Sequence, residues 1–105
     1  MVKQYHKLVR DKIPGIIRQT GSTCSYRILE QEQYLTCLDV KLNEELAEYQ
    51  QSKSLEELAD LLEVMRAVVT ARGYTWQELE DIRQEKYNRR GGFADRIFLE
   101  EVRQA

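Results

Sequence analysis

The chain has 105 residues, with 16 Lys and Arg against 18 Asp and Glu and a net charge of −2. That is one domain's worth of chain (residues 1–105) with room for a modest core, and the near-neutral total argues against a general nucleic-acid binder. Two cysteines without a CxxC pair and a lone His6 exclude Cys/His zinc ligation, and no apolar run reaches the ~20 residues of a membrane span.

Taken in chain order, the pattern is mostly helical. Pro14 suits the first turn of a short helix over roughly 12–19, which should stop near Gly21. Ser25–Leu29 follows a Gly/Ser/Thr/Cys stretch and is expected to be a short extended piece. From Glu30 to about Gln51 there is no Gly or Pro, and Leu35, Leu38, Leu42, Leu46 and Tyr49 recur at helical spacing. Gln50-Gln51-Ser52-Lys53 is a polar break. Ser54 and Glu57 then form an S-x-x-E capping-box pattern. A second long helix follows, with Leu58, Leu61, Leu62, Met65, Val68 and Val69 on its apolar side, and Gly73 is its natural stop. Thr75 and Glu78 repeat the capping pattern for a third long helix running to about Asn88. Gly91-Gly92 breaks the chain, and Ile97-Phe98-Leu99 is expected to be a short strand or a packed tail. The short link between the two long helices makes them an antiparallel hairpin. Such a hairpin leaves apolar stripes uncovered, so self-association is expected. The first residues are polar and charged, with no signal-peptide pattern, which predicts a cytoplasmic protein with reduced thiols.

Charge is distributed unevenly along these elements. Residues 3–18 hold five bases and one acid, residues 44–63 seven acids and one base, and residues 82–96 five bases and two acids. An acidic middle bracketed by basic ends suits a metal–polyphosphate complex, which needs anions for the metal and cations for the phosphates. It also suits helix faces that simply neutralise one another.

The acidic middle has a finer pattern. Glu44-Glu45-Leu46-Ala47-Glu48 lies on the first long helix and Glu57-Leu58-Ala59-Asp60 on the second. Residues three and four apart share a helix face, so Glu45 projects with Glu48, and Glu57 with Asp60. At about 100° per residue, Glu45 falls within the Leu38/Leu42/Tyr49 stripe. Glu57, Asp60 and Val64 fall along one edge of the Leu61/Val68 stripe. Both acidic pairs lie near the turn of the hairpin, which brings four carboxylates together. Such a group must take up protons or hold a cation. An all-oxygen carboxylate set suits Mg²⁺ or Mn²⁺. Either motif alone is also common on solvated helix surfaces. At the basic ends, Arg10 and Lys12, and Lys86, Arg89 and Arg90 beside Gly91-Gly92, can meet phosphate oxygens. A dipole-favoured basic helix end explains the second group equally well.

Together these segments resemble the MazG-like, all-α NTP pyrophosphohydrolase superfamily, which includes phosphoribosyl-ATP pyrophosphohydrolase and the dimeric dUTPases. The resemblance rests on three segments. They are the head KLVRDKIP (Lys7 to Pro14), the acidic pair EExxE (Glu44–Glu48) with ExxD (Glu57–Asp60), and the tail K-x-N-R-R-G-G-F (Lys86 to Phe93). Eight residues separate Glu48 from Glu57, which is short for the MazG group proper and favours the phosphoribosyl-ATP branch. The resemblance implies an all-α fold, a helical hairpin plus third helix forming a four-helix-bundle-type core in a homodimer or dimer of dimers. It implies Mg²⁺-dependent cleavage of an α–β phosphoanhydride, giving a nucleoside monophosphate and pyrophosphate. Glu45, Glu48, Glu57 and Asp60 would ligate Mg²⁺, with Mn²⁺ as a substitute. Glu44 would take a second ion or orient the attacking water. Lys41, Arg10, Lys12, Lys86, Arg89 and Arg90 would face the phosphates. House-cleaning of non-standard or surplus nucleotides is the first expectation and the histidine-pathway reaction the second. A non-catalytic oligomerisation or binding module is the rival from another class. A nucleic-acid-binding helical regulator, which needs a continuous basic face, is opposed by the acidic middle.

Overall fold

The computed structural model describes all residues, 1–105. It is all-helical, with four α-helices and no strand: α1 (Ile13–Gln19), α2 (Gln31–Ser52), α3 (Leu55–Ala71) and α4 (Trp76–Arg90). Two compact units divide the chain, Met1–Tyr74 and Thr75–Ala105. No helix is long and apolar enough to cross a membrane.

In the first unit, Pro14 stands in the first turn of α1, where its missing N–H costs nothing. Thr20 closes α1, its hydroxyl donating to the Ile17 carbonyl at 2.6 Å. Residues 25–29, expected to be extended, form no strand, because no second strand is present to pair with them. α2 runs uninterrupted for 22 residues and ends where Lys53 turns left-handed at φ 60°. Only Lys53 and Ser54 separate it from α3, which makes α2 and α3 an antiparallel pair packed on each other. The far end of the hairpin is tied by Gln31, whose Nε2 donates to the Ala71 carbonyl at 2.8 Å, and by an Arg72–Asp39 ion pair at 3.3 Å. α3 stops in a complete Schellman motif. Gly73 is left-handed at φ 86°, its N–H donates to the Thr70 carbonyl, and the Tyr74 N–H reaches back to Val69.

The hairpin core is thin. Leu38, at 3% exposure, and Val64, at 8%, are its buried apolar residues, and Glu45 is buried beside them. The orientation of α3 corrects the sequence expectation. Val64 faces α2 directly, whereas Leu58, Leu62 and Met65 are exposed together with Leu55. The leucines dominate the periodicity, but the residues turned toward α2 are Glu57, Asp60, Leu61, Val64 and Val68, which share the other face. Leu46, expected in the α2 stripe, is also exposed.

In the second unit, Thr75 and Glu78 form the full reciprocal capping box, and α4 continues to Arg90, two residues past the expected end. Gly91 ends it at φ 79°, its N–H bonded to the Tyr87 carbonyl. Ile97, Phe98 and Leu99 are neither strand nor packed tail; all three are exposed. Cys24 and Cys37 are free thiols.

Candidate metal centre

Three carboxylates from the two arms of the hairpin meet near its turn. Glu45 on α2 and Glu57 and Asp60 on α3 each present an oxygen, and these oxygens all lie within 4.8 Å of one another. The antiparallel register produces this convergence, since residues near the connection on one helix oppose those near it on the other. Glu45 enters the interface because its helical position puts it on the Leu38 face of α2.

The centre is short of positive charge and of hydrogen-bond donors. The Glu45 side chain is 10% exposed, and its Oε2 is buried with no hydrogen-bond partner; Glu57 Oε2 is orphaned in the same way. Burial is the largest cause that pushes the Glu45 carboxyl above the ordinary value of 4.5. Next comes Glu48, whose carboxylate repels that of Glu45 and accepts its proton when it carries one. Lys41 pulls the other way and Asp60 adds to the rise. Glu57 is raised too, by burial of its carboxyl first and then by Glu48, Asp60 and Glu45. Two buried oxygens without donors amid four acids form an all-oxygen set that a hard divalent cation fits.

The N-terminus of α3 shows how Glu57 is kept for this centre. Ser54 caps α3 by accepting the Glu57 N–H at 3.2 Å. The expected box would bring the Glu57 carboxylate back to the Ser54 N–H. Instead that N–H donates to Ser52 Oγ at 3.2 Å. Ser52 fills the role of the box acid, and the Glu57 carboxylate is left to face Glu45 and Asp60.

Two protein cations touch the cluster. Lys41 Nζ lies 3.6 Å from both Glu44 and Glu45. Arg10 Nη2 donates to Asp60 Oδ1 at 2.7 Å across 50 residues of sequence. Arg10, expected to await phosphate, is therefore bound to a carboxylate of the centre. Glu48 lies against Glu45 and Glu57 on the exposed edge, and Glu44 is outside the triad, beside Lys41. Lys12 is exposed at the start of α1 and borders an open groove with Pro14, Arg18, Tyr26 and Ile28. Lys86, Arg89 and Arg90 are exposed on the last turns of α4, in the second unit. Sequence reasoning missed the Arg10–Asp60 pair and the role of Ser52. A serine two residues before an S-x-x-E box was a usable signal for the second; a contact over 50 residues leaves no local signal for the first.

No family model matches the chain. An uncharacterized protein of Mycolicibacterium smegmatis is 50% identical over 42 residues, which is 40% of this chain and 43% of that protein. The chain thus aligns with less than half the length of that relative. No solved structure matches.

Proposed function

We propose that the chain is a Mg²⁺-dependent nucleotide pyrophosphohydrolase that cleaves an α–β phosphoanhydride to a nucleoside monophosphate and pyrophosphate. One observation carries this reading: three carboxylates from two helices converge within 4.8 Å, and two buried carboxylate oxygens have no donor. A solvated acidic helix face keeps its carboxylates in water and needs no cation. A half-buried set like this one gains from a divalent ion that supplies the missing charge. The resemblance of head, acidic pair and tail to MazG-like enzymes selects nucleotide hydrolysis among the chemistries such a centre serves.

On this reading Glu45, Glu57 and Asp60 hold the ion from the two sides of the hairpin and Glu48 adds a ligand from the exposed edge. Mg²⁺ or Mn²⁺ held there would polarise a phosphoryl oxygen and screen charge on departing pyrophosphate. Glu44, outside the triad and partly exposed, orients the attacking water. Lys41, 3.6 Å from both Glu44 and Glu45, offsets part of the negative charge beside the ion. Lys12 is the cation of the same unit assigned to the phosphate chain, and Lys86, Arg89 and Arg90 of the second unit form a separate basic cluster whose arginines suit phosphate oxygens by their bidentate geometry. The chain's contribution is positioning and fixed charge. The substrate class proposed is non-standard or surplus nucleoside triphosphates. The exposed Leu55, Leu58, Leu62 and Met65 on α3 support assembly into a dimer or dimer of dimers.

The test is pyrophosphate release from a nucleotide panel with Mg²⁺, for the wild type and for Glu48→Gln and Asp60→Asn. Both variants should lose turnover while keeping the helical circular-dichroism spectrum. Activity within threefold of wild type in both would end the enzymatic reading.

A further inference from the structure

A second recess belongs to the same unit as the carboxylate cluster. Arg10 is bonded to Asp60, and its carbonyl accepts the Ile13 N–H at 3.0 Å. The intervening turn, Asp11-Lys12, is thereby held close to the cluster. From this turn an open groove of about 680 Å³ runs along α1, within the roughly 300–1,000 Å³ of small-molecule sites. Successive side chains of the opposite wall alternate as in an extended chain. Tyr26 and Ile28 face this groove, whereas Arg27 and Leu29 face a separate one against α2. Lys12 and Arg18 line the groove, and no ion pair engages either of them. Arg18 folds back over Gly15, its Nη2 4.0 Å from where a Cβ would stand. Tyr26 is 62% exposed and carries no cation on its ring, whereas Lys3 and Lys7 cover the Tyr5 ring and Lys53 that of Tyr49.

We propose that this groove is the nucleoside subsite: the base stacks on Tyr26 between the apolar side chains of Ile16 and Ile28, and Lys12 holds the phosphate nearest the sugar. This inference rests on the nucleotide reading of the cluster and adds the place where the nucleoside is held. The lining names the ligand class. Apolar walls and one aromatic ring alone would suit any hydrophobic side chain. Two unpaired cations beside that ring suit an anion joined to a flat ring system, which is the chemistry of a nucleotide. Arg18 lies farther along α1 than Lys12, and its planar guanidinium can stack on the outer face of the base. Lys12 stands two residues from Arg10, so a phosphate chain running from the groove toward the carboxylates passes a cation first. Stacking uses the π-face that every base has. A subsite of this kind therefore accepts several bases, in keeping with a substrate class of non-standard or surplus nucleotides.

The experiment is an NMR titration with AMP and with ribose 5-phosphate, in EDTA, of the wild type, Tyr26→Ala, Tyr26→Phe and Lys12→Ala. Tyr26 and Lys12 are exposed, so the variants should keep the wild-type circular-dichroism spectrum. Wild type should bind AMP more tightly than ribose 5-phosphate. Tyr26→Ala should weaken AMP at least about fivefold and leave ribose 5-phosphate unchanged. Tyr26→Phe should keep AMP affinity, because the ring and not the hydroxyl makes the stack. Lys12→Ala should weaken both ligands by a similar factor, a split between base and phosphate that a merely structural role does not produce. Equal AMP affinity in wild type and Tyr26→Ala, or no AMP binding to wild type, overturns the subsite and leaves the enzymatic reading to the pyrophosphate assay. Groove variants that change the sedimenting mass but not AMP affinity assign the groove to a second copy of the chain and overturn the subsite as well. A wild type that binds AMP through Tyr26 yet releases no pyrophosphate from any nucleotide supports the subsite and overturns the enzymatic reading.

Discussion

Glu45 and Glu57 are held in a state that favours their protonated forms, and this has a thermodynamic consequence. A carboxyl whose folded-state pKa is raised binds its proton more tightly folded than unfolded. Its favourable contribution is complete below the unfolded value near 4.5 and is lost as pH rises through the raised folded values. In EDTA, the melting temperature should therefore fall as pH climbs from about 4.5 to neutrality. The Glu80–Arg83 pair acts in the opposite sense. Arg83 lowers the Glu80 pKa, so that contribution is lost below the ordinary value, outside this window. Mg²⁺ at tenfold over its Kd should restore about 1.4 kcal/mol by mass action, roughly 5 °C or more for a unit of this size. Glu57→Gln should flatten the pH slope and abolish the Mg²⁺ response. A melting temperature indifferent to both pH above 4.5 and Mg²⁺ would show that the carboxylates carry no such tension.

At the scale of elements, the caps decide both the boundaries and the site. Much of this was legible. Pro14, Gly73, Thr75 with Glu78, and Gly91 are local signals, and each marks an observed helix end. Glu45 was legible too, because a period of 3.6 residues is enough to put an acid on the Leu38 face. The rotation of α3 was legible only in part. The periodicity sets Glu57, Asp60 and Val64 at the edge of the Leu61/Val68 stripe, and only packing against α2 shows that Leu58, Leu62 and Met65 stay outside. Residues 25–29 have strand-like composition, but a strand requires a partner that local sequence does not report. At the α2–α3 junction two patterns compete for one side chain, since S-x-x-E asks Glu57 to cap and ExxD asks it to join Asp60. Ser52 settles the conflict by accepting the Ser54 N–H. Ser52→Ala should leave that N–H seeking Glu57, at a stability cost of about 0.5–1 kcal/mol. If the junction works as described, Mn²⁺ affinity falls as the carboxylate is drawn away. Unchanged metal affinity in Ser52→Ala would mean that Glu57 is oriented by the centre alone.

For the whole molecule, apolar surface left outside is the governing quantity. The hairpin buries only Leu38 and Val64 among its apolar residues, while Leu55, Leu58, Leu62 and Met65 present one continuous exposed face on α3. A two-helix core this thin contributes little against the ordering of its residues. Covering the outer face of α3 with the same face of a second copy would supply the missing burial. A two-fold dimer is the simplest arrangement that does so, because one patch then serves both sides. The charge layout helps. The acids of the centre are on the inner face of α3, toward α2, so pairing the outer faces does not bring the two acidic clusters into opposition. Sedimentation equilibrium at micromolar concentration should give a mass of two or four chains. Leu62→Glu would place a charge in the middle of the covered surface and should yield a monomer with a lower melting temperature. Its metal centre, built within one hairpin, should still bind Mn²⁺ wherever the hairpin remains folded. A wild type that sediments as a monomer, equally stable with and without the glutamate, would show that the α3 face has no such partner.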